Sequence, residues 1–316
     1  MRRYVWILVT AACVTMGARA QTALDWRQVE ARFQAANPAL RVGLMSIDEA
    51  RAQEITAYLR PNPNLTAGLD QLQPFSFNPY RPLTGAFPLI SVNYLHEREH
   101  KRELRLDSAK AATTIAMSQQ EDLARTLMFS LRNAFVQTLQ AKAVFALAKD
   151  NLDYFDRELV IFRDRLRAGD IAQLDMNRLD LQRVQYESDL QTALVNMRTA
   201  KIQLLQLLDD RTPVDKFDVA GPFDFSDRLM PLEEFHAQAS AARPDLKAAL
   251  QAIEKAKADH KLAVANGSTD PTFSVDAAHN PPFNVYFGAS VSIPLRIFDR
   301  NQGEKLRNGM LTLNPI

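Results

Sequence analysis

The sequence has one cysteine, Cys13, in 316 residues. A mature chain without it has no thiol, which excludes a disulfide framework and a thiolate metal site. Net charge is nearly absent as well. The 38 Lys and Arg against 37 Asp and Glu leave a formal +1, so no broad basic field is available to nucleic acid. Past the N-terminus, no stretch reaches the ~18 consecutive apolar residues that a transmembrane helix needs, so membrane insertion would have to use β-strands or an assembly. There is no Gly-rich phosphate loop, no G-x-S-x-G and no nucleophile with a paired base. No catalytic residue, no cofactor and no enzymatic activity are therefore expected. The chain is 47% hydrophobic and 24% charged, enough for a real core in one or two domains.

The N-terminus reads as an export signal over residues 1–20. Arg2 and Arg3 start it, Tyr4 to Met16 is its apolar stretch, and Ala18-Arg19-Ala20 is an A-x-A cleavage site before Gln21. Val9-Thr10-Ala11-Ala12 is a poor match to the run that precedes a lipidated cysteine, so Cys13 is expected to leave with the signal.

The dominant feature is a helical stretch, about Glu97 to Asp210, broken near Arg167-Ala168-Gly169-Asp170. Before the break, apolar or small residues recur at steps of three and four: Leu123, Leu127, Leu131, Ala134, Thr138, Ala141, Phe145, Ala148, Leu152, Phe155, Leu159, Phe162 and Leu166. After it the steps resume at Leu179, Arg183, Tyr186, Leu190, Ala193, Met197, Ala200, Leu204 and Leu207. A period near 3.6 keeps each stripe on one side of a helix. Two long arms joined at one glycine form an antiparallel, coiled-coil-like hairpin. An arm of roughly 45 residues is on the order of 70 Å long.

Around this hairpin the sequence repeats itself. Ala36-Asn37-Pro38-Ala39-Leu40 answers to Ala242-Arg243-Pro244-Asp245-Leu246, at an offset of about 206 residues. Each unit runs helix, strand, strand. In the first, Leu65, Ala67 and Leu69 alternate with polar residues. A Pro-, Phe- and Tyr-rich loop, Pro74 to Phe87, leads to a second strand with Ile90, Val92 and Tyr94 on one face. In the second, a strand over Thr272–Ala278 and a Pro281-Pro282 turn lead to Val285, Phe287, Ala289, Val291 and Ile293, alternating with Tyr286, Gly288, Ser290 and Ser292. The expected organisation is a first repeat over residues 21–220 (β-hairpin 64–95, helical hairpin 97–210) and a second over 221–316 (β-hairpin 272–295, then the start of a helix). The tail Asn308–Ile316 is a poor helix. By the repeat's own period, roughly 110–120 residues of a second hairpin are missing. The fold class is mainly α with four β-strands. Four strands with one apolar face cannot close a barrel alone, and open edges are not tolerated in lipid, so closure needs several copies.

This order of elements resembles the TolC family of outer-membrane efflux channels, over roughly residues 25–307. His96-Glu97-Arg98-Glu99-His100-Lys101-Arg102-Glu103-Leu104-Arg105 is similar to the family's first strand-to-helix junction, except that relatives often carry Gly-Gly where Glu99-His100 stand. Ile293-Pro294-Leu295-Arg296-Ile297-Phe298-Asp299-Arg300-Asn301-Gln302-Gly303 is similar to the second junction, especially in the heavy-metal, CzcC-like branch. The resemblance implies a homotrimer whose strands, four per protomer, close a barrel of about twelve strands in outer-membrane lipid. It also implies a periplasmic helical tunnel, a periplasmic adaptor and an inner-membrane pump of the RND type or similar. The chain would be a passive exit duct for metal ions or small toxic compounds.

The same resemblance makes the hairpin turn an adaptor-docking tip: Arg167, Ala168, Gly169, Asp170, Leu174 and Asp175. Gly169 suits the positive φ that ends a helix, Asp170 could cap the next one, and Asp175 sits near its positive end. The blander reading is that these residues only turn the chain. The barrel strands would present Leu65, Leu69, Ile90, Val92, Val285, Phe287, Val291 and Ile293 to lipid. Asp175, Asp180, Glu187 and Asp189 could favour cations in a lumen, though such charges are more often a solvated helix face. Two alternatives compete. A periplasmic adaptor also has a coiled-coil hairpin, but between two β-rich halves. A zinc protease is suggested by His96-Glu97-Arg98-Glu99-His100, which matches H-E-x-x-H. The motif lies at a strand end, is flanked by charges and lacks a convincing third ligand, so no metal site is expected there.

Overall fold

The computed structural model describes residues 23–70, 86–222, 230–279 and 284–313. The expected export signal with Cys13, the Pro-rich stretch up to residue 85 and the turn expected at Pro281-Pro282 lie outside these residues. Helices α1 (Trp26–Ala36) and α2 (Pro38–Tyr58) lead to strands β1 (Asn64–Asp70) and β2 (Phe87–Leu95). The long helices α3 (Lys101–Ala168) and α4 (Gln173–Leu207) follow. Then come α5 (Leu232–Ala242), α6 (Pro244–Asn266), β3 (Thr272–Ala278), β4 (Tyr286–Ser292) and α7 (Gln302–Leu313). The chain forms two compact units. One comprises Met1–Pro38 with Thr126–Arg228, the other Ala39–Arg125 with Leu229–Ile316.

The first unit is built on the helical hairpin. Every position of the two stripes read from the sequence is buried or half-buried, while the intervening positions include exposed Phe129, Val136, Leu181 and Val195. Near the turn, Phe155, Leu159 and Met176 form a buried cluster with Phe162, Leu166, Leu179 and Tyr186 packed on it. The Phe155 and Tyr186 rings lie 4.9 Å apart. Arg183 Nε donates to Asp156 at 2.6 Å across the two arms, and Thr138 Oγ1 donates to the Ala200 carbonyl at 3.3 Å.

Helix α1 starts at a reciprocal capping box between Asp25 and Gln28, and buries Val29 and Phe33. A short parallel bridge, Leu24 to Val219, ties it to the segment after α4. That segment is held by charge. Lys142 Nζ donates to Asp218 Oδ2 at 2.6 Å, Lys201 Nζ lies 3.2 Å from Asp218 Oδ1, and Lys201 also donates to the Phe217 carbonyl at 2.8 Å. Partial burial pushes the Asp218 carboxyl up. The two lysines outweigh burial and hold it below the ordinary carboxylate value.

The second unit holds the sheet and the helices around it. All neighbours are antiparallel, in the order β1-β2-β3-β4. The two sequence hairpins are therefore joined into one sheet through β2 and β3, and 172 residues of sequence separate the partners Arg98 N–H and Asp270 Oδ1 at that seam. Lys101, 3% exposed, donates to Asp270 Oδ2 at 2.6 Å and to the Ser268 carbonyl at 3.0 Å. The first part of α3 is met by α2 and α6 through polar contacts. Gln120 donates to the Leu40 carbonyl at 3.2 Å, and Ser118 donates to Gln251 Oε1 at 2.8 Å.

Three details differ from the sequence expectation. First, α3 begins at Lys101 rather than at Glu97, because Glu99 and His100 take positive φ values of 56° and 54°. Second, the tail from Asn308 is helical to Leu313. Buried Asn308 donates to the Asp259 carbonyl at 3.4 Å, and Gly309 lies beside the His260 ring. Packing against α6 thus overrides a weak helix propensity. Third, β4 is Tyr286–Ser292, so Val285 and Ile293 flank the strand.

Candidate functional site: a two-faced sheet and the hairpin turn

The strand register sorts side chains into two faces, because cross-strand partners project to the same side. One set of rows is Leu65–Val92–Val275–Ala289, Ala67–Ile90–Ala277–Phe287 and Tyr94–Phe273–Val291. The opposite face holds the polar rows Asn64–Asn93–Ser274–Ser290 and Thr66–Ser91–Asp276–Gly288, and also Gly68–Leu89–Ala278–Tyr286, Asp70–Phe87 and Leu95–Thr272–Ser292. Asn93 Nδ2 lies 3.5 Å from Thr66 Oγ1 and 3.4 Å from Ser91 Oγ, as residues on one face should. A globular protein would cover the apolar rows with helices. Here Leu65 is 72% exposed and Phe287 80% exposed, and Leu69, Ile90, Val92, Val275, Val285, Val291 and Ile293 are also exposed.

An uncovered sheet face of Leu, Ile, Val and Phe is unstable in water and suited to lipid. β2 has nine residues, and the alternation from Val285 to Ile293 is as long. A tilted strand of about 9–11 residues spans a bilayer. All eight residues expected on the barrel strands lie on or beside this face. No helix among the described residues is long and apolar enough to cross a membrane.

The hairpin turn closes as a Schellman motif. The Gly169 N–H donates to the Leu166 carbonyl at 3.1 Å, and the Asp170 N–H donates to the Arg165 carbonyl at 2.9 Å. Gly169 has φ of 80°, where a Cβ would be strained. Asp170 does not cap α4. The N-cap is Ala172, with no side-chain bond, and Asp175 lies in the first turn. Arg167 pairs with Asp164 at 2.9 Å and Arg178 with Asp175 at 3.4 Å. Leu174 stands exposed beside them.

The H-E-x-x-H run does not make a metal-binding helix. Two consecutive left-handed residues separate His96 from Lys101, so His96 and His100 do not share a helical face. Glu97 is engaged by both terminal nitrogens of Arg105, with one contact at 2.9 Å. Among the described residues no group of three His, Cys, Asp or Glu side chains could hold a metal ion. The run instead lines an open hollow of about 430 Å³ with Arg60, Tyr94 and Arg102. Sequence reasoning missed Asp276. Its position on a strand was visible, but its place on the polar rows of a four-stranded sheet follows from the register.

A long helical hairpin joined to a four-stranded antiparallel sheet is part of a TolC-like fold. Among solved structures, the outer-membrane channel OprN is similar with a TM-score of 0.70 at 18% identity, over 92% of this chain and 69% of that one. CusC, which forms a transmembrane channel, is similar with a TM-score of 0.72 at 14% identity, over 92% and 71%. The outer-membrane protein VceC of Vibrio cholerae gives 0.70 at 14% identity, over 92% and 73%. No protein-family model matches the sequence, and no curated protein matches it. At these identities the likeness is one of fold.

Proposed function

We propose that this chain is an outer-membrane channel subunit of a tripartite efflux system, a passive duct through which metal ions or small toxic compounds leave the cell. The observation that carries the proposal is the sheet with one uncovered apolar face and an opposite face two of whose rows carry hydroxyls, amides and a carboxylate. Such a sheet is a segment of barrel wall, with lipid outside and water inside. Its edges β1 and β4 have no partner strand among the described residues, and edges in lipid must be paired, so copies of the chain associate. The exposed stripe along the helices, with Phe129, Val136, Leu181 and Val195, calls for further helical neighbours. A homotrimer satisfies both.

The domain reading follows: an export signal over residues 1–20, a first repeat over 21–220 and a second over 221–316. Residues Arg167, Ala168, Gly169, Asp170, Leu174 and Asp175 are the surface offered to a periplasmic adaptor, which links the duct to an inner-membrane pump. The likeness of the Ile293–Gly303 junction to the heavy-metal branch supports metal ions as cargo.

The test is fractionation with chemical crosslinking of the expressed chain. It should sediment with the outer membrane and crosslink as a trimer. A soluble periplasmic monomer would overturn the reading. A cysteine placed at Asp170, in a mature chain with no other thiol, should crosslink to an adaptor. Val92→Arg should block insertion, since a cation at the lipid midplane costs about 2–4 kcal/mol. Asn93→Arg, on the opposite face, should be tolerated.

A further inference from the structure

The face of the sheet that holds the polar rows is not neutral. Its charged side chains among the described residues are Asp70 and Asp276, and no Lys or Arg stands on it. Asp276 is in the interior of β3, between Ser91 and Gly288 of the neighbouring strands. Its carboxylate leans over the β4 backbone. A Cβ built on Gly288 would lie 2.6 Å from Oδ2 and 2.8 Å from Oδ1, so the glycine leaves the space that the carboxylate fills. No basic side chain on the sheet neutralises it, and its row is completed by the hydroxyls of Thr66 and Ser91.

We infer that Asp276 sets the charge preference of the duct, favouring cations over anions where they pass the strands. The inference rests on the channel reading above, and it adds a residue that discriminates among solutes. The physical reason is direct. A carboxylate fixed on a water-lined wall with hydrocarbon behind it raises the local concentration of cations and depletes anions. Every copy in an assembly contributes one such group at the same height, so the effects add. Several acids of the helical hairpin are less suited to this role: Asp156, Asp164, Asp175, Asp180 and Glu187 are each within salt-bridge distance of an arginine.

The experiment is reversal-potential measurement on the full chain in planar bilayers under a KCl gradient. The wild-type ratio of K⁺ to Cl⁻ permeability should exceed one. Asp276→Asn, nearly isosteric and carried by every copy, should lower it at least about twofold, since one charge roughly 8 Å away in water already shifts a single monovalent ion by about that factor and the copies act together. Asp276→Lys should bring it below one. Ser91→Lys, on the same row, should lower it without touching Asp276. If the channels conduct and both Asp276 variants leave the ratio unchanged, the assignment is wrong while the duct reading stands. If the wild-type chain carries no current, the duct reading fails and takes this inference with it.

Discussion

The junction Glu99-His100 gives the most direct test of how sequence and backbone conformation compete in this chain. Both residues have positive φ, at 56° and 54°, just before α3. For a residue with a Cβ, that region costs roughly 1–2 kcal/mol. Glycine removes the clash but gives back about 0.5–1 kcal/mol through the greater freedom of the unfolded chain. The side chains contribute little here. His100 is 88% exposed, approaching Glu103 only at 4.0 Å, and Glu99 is exposed. The double variant Glu99→Gly/His100→Gly should therefore be more stable by about 1–2 kcal/mol. Equilibrium unfolding in urea, followed by circular dichroism on the detergent-solubilised chain, should show a higher midpoint at unchanged slope. Glu99→Val should move the midpoint the other way, because a β-branched residue tolerates positive φ least.

Asn301 supplies a control. It also has positive φ, at 60°, and also precedes a helix, α7. But its Nδ2 donates to the Ala263 carbonyl at 2.8 Å. Asn301→Gly should thus lose about 0.5–1 kcal/mol, since a hydrogen bond disappears and asparagine already accepts the left-handed region. If the double glycine variant is no more stable than the parent, left-handed strain is not what the junction carries, and the reasoning fails.

Other perturbations follow from the same geometry. Leu159→Ala, at a side chain that is 1% exposed, should cost about 3–5 kcal/mol and loosen the hairpin near its turn, read as faster amide exchange there. Gly169→Ala should cost roughly 1–2 kcal/mol by forcing a Cβ into the left-handed region, measurable by the same urea titration. Asp218 titrates below its ordinary value in the folded chain. Its stabilisation is therefore complete above the unfolded carboxylate pKa of about 3.9 and is lost as pH falls through the lower folded value. Asp218→Asn should remove that acid-side dependence and, with Asp218 over a third exposed, cost only about 1 kcal/mol near neutrality.

Much of the fold was legible because it is periodic. The stripe from Leu123 to Leu166 is set by a 3.6-residue repeat, and a residue's side of a long helix depends on nothing farther away than its neighbours. The same holds for the alternation at Leu65, Ile90, Val92 and Phe287, where a period of two divides the faces. The hairpin turn was legible too, since one glycine between two striped arms has few other uses. The seam between β2 and β3 was not, because no local signal specifies which of four amphipathic strands meet.

By itself, then, the sequence determined the elements, their faces and the repeated order of helix, strand and strand, all of which arise from short-range stereochemistry and side-chain spacing. Tertiary structure decided what depends on distant partners. Glu99 and His100 turn left-handed, and the turn leads into Lys101, which meets Asp270, 169 residues away in sequence. The tail from Asn308 becomes helix because α6 receives it. Asp276 joins a polar row because three registers align it with Thr66, Ser91 and Gly288. Each of these outcomes depends on a contact between segments far apart in the chain, which overrides local preferences of a fraction of a kcal/mol for helix or strand and of roughly 1–2 kcal/mol for each left-handed residue.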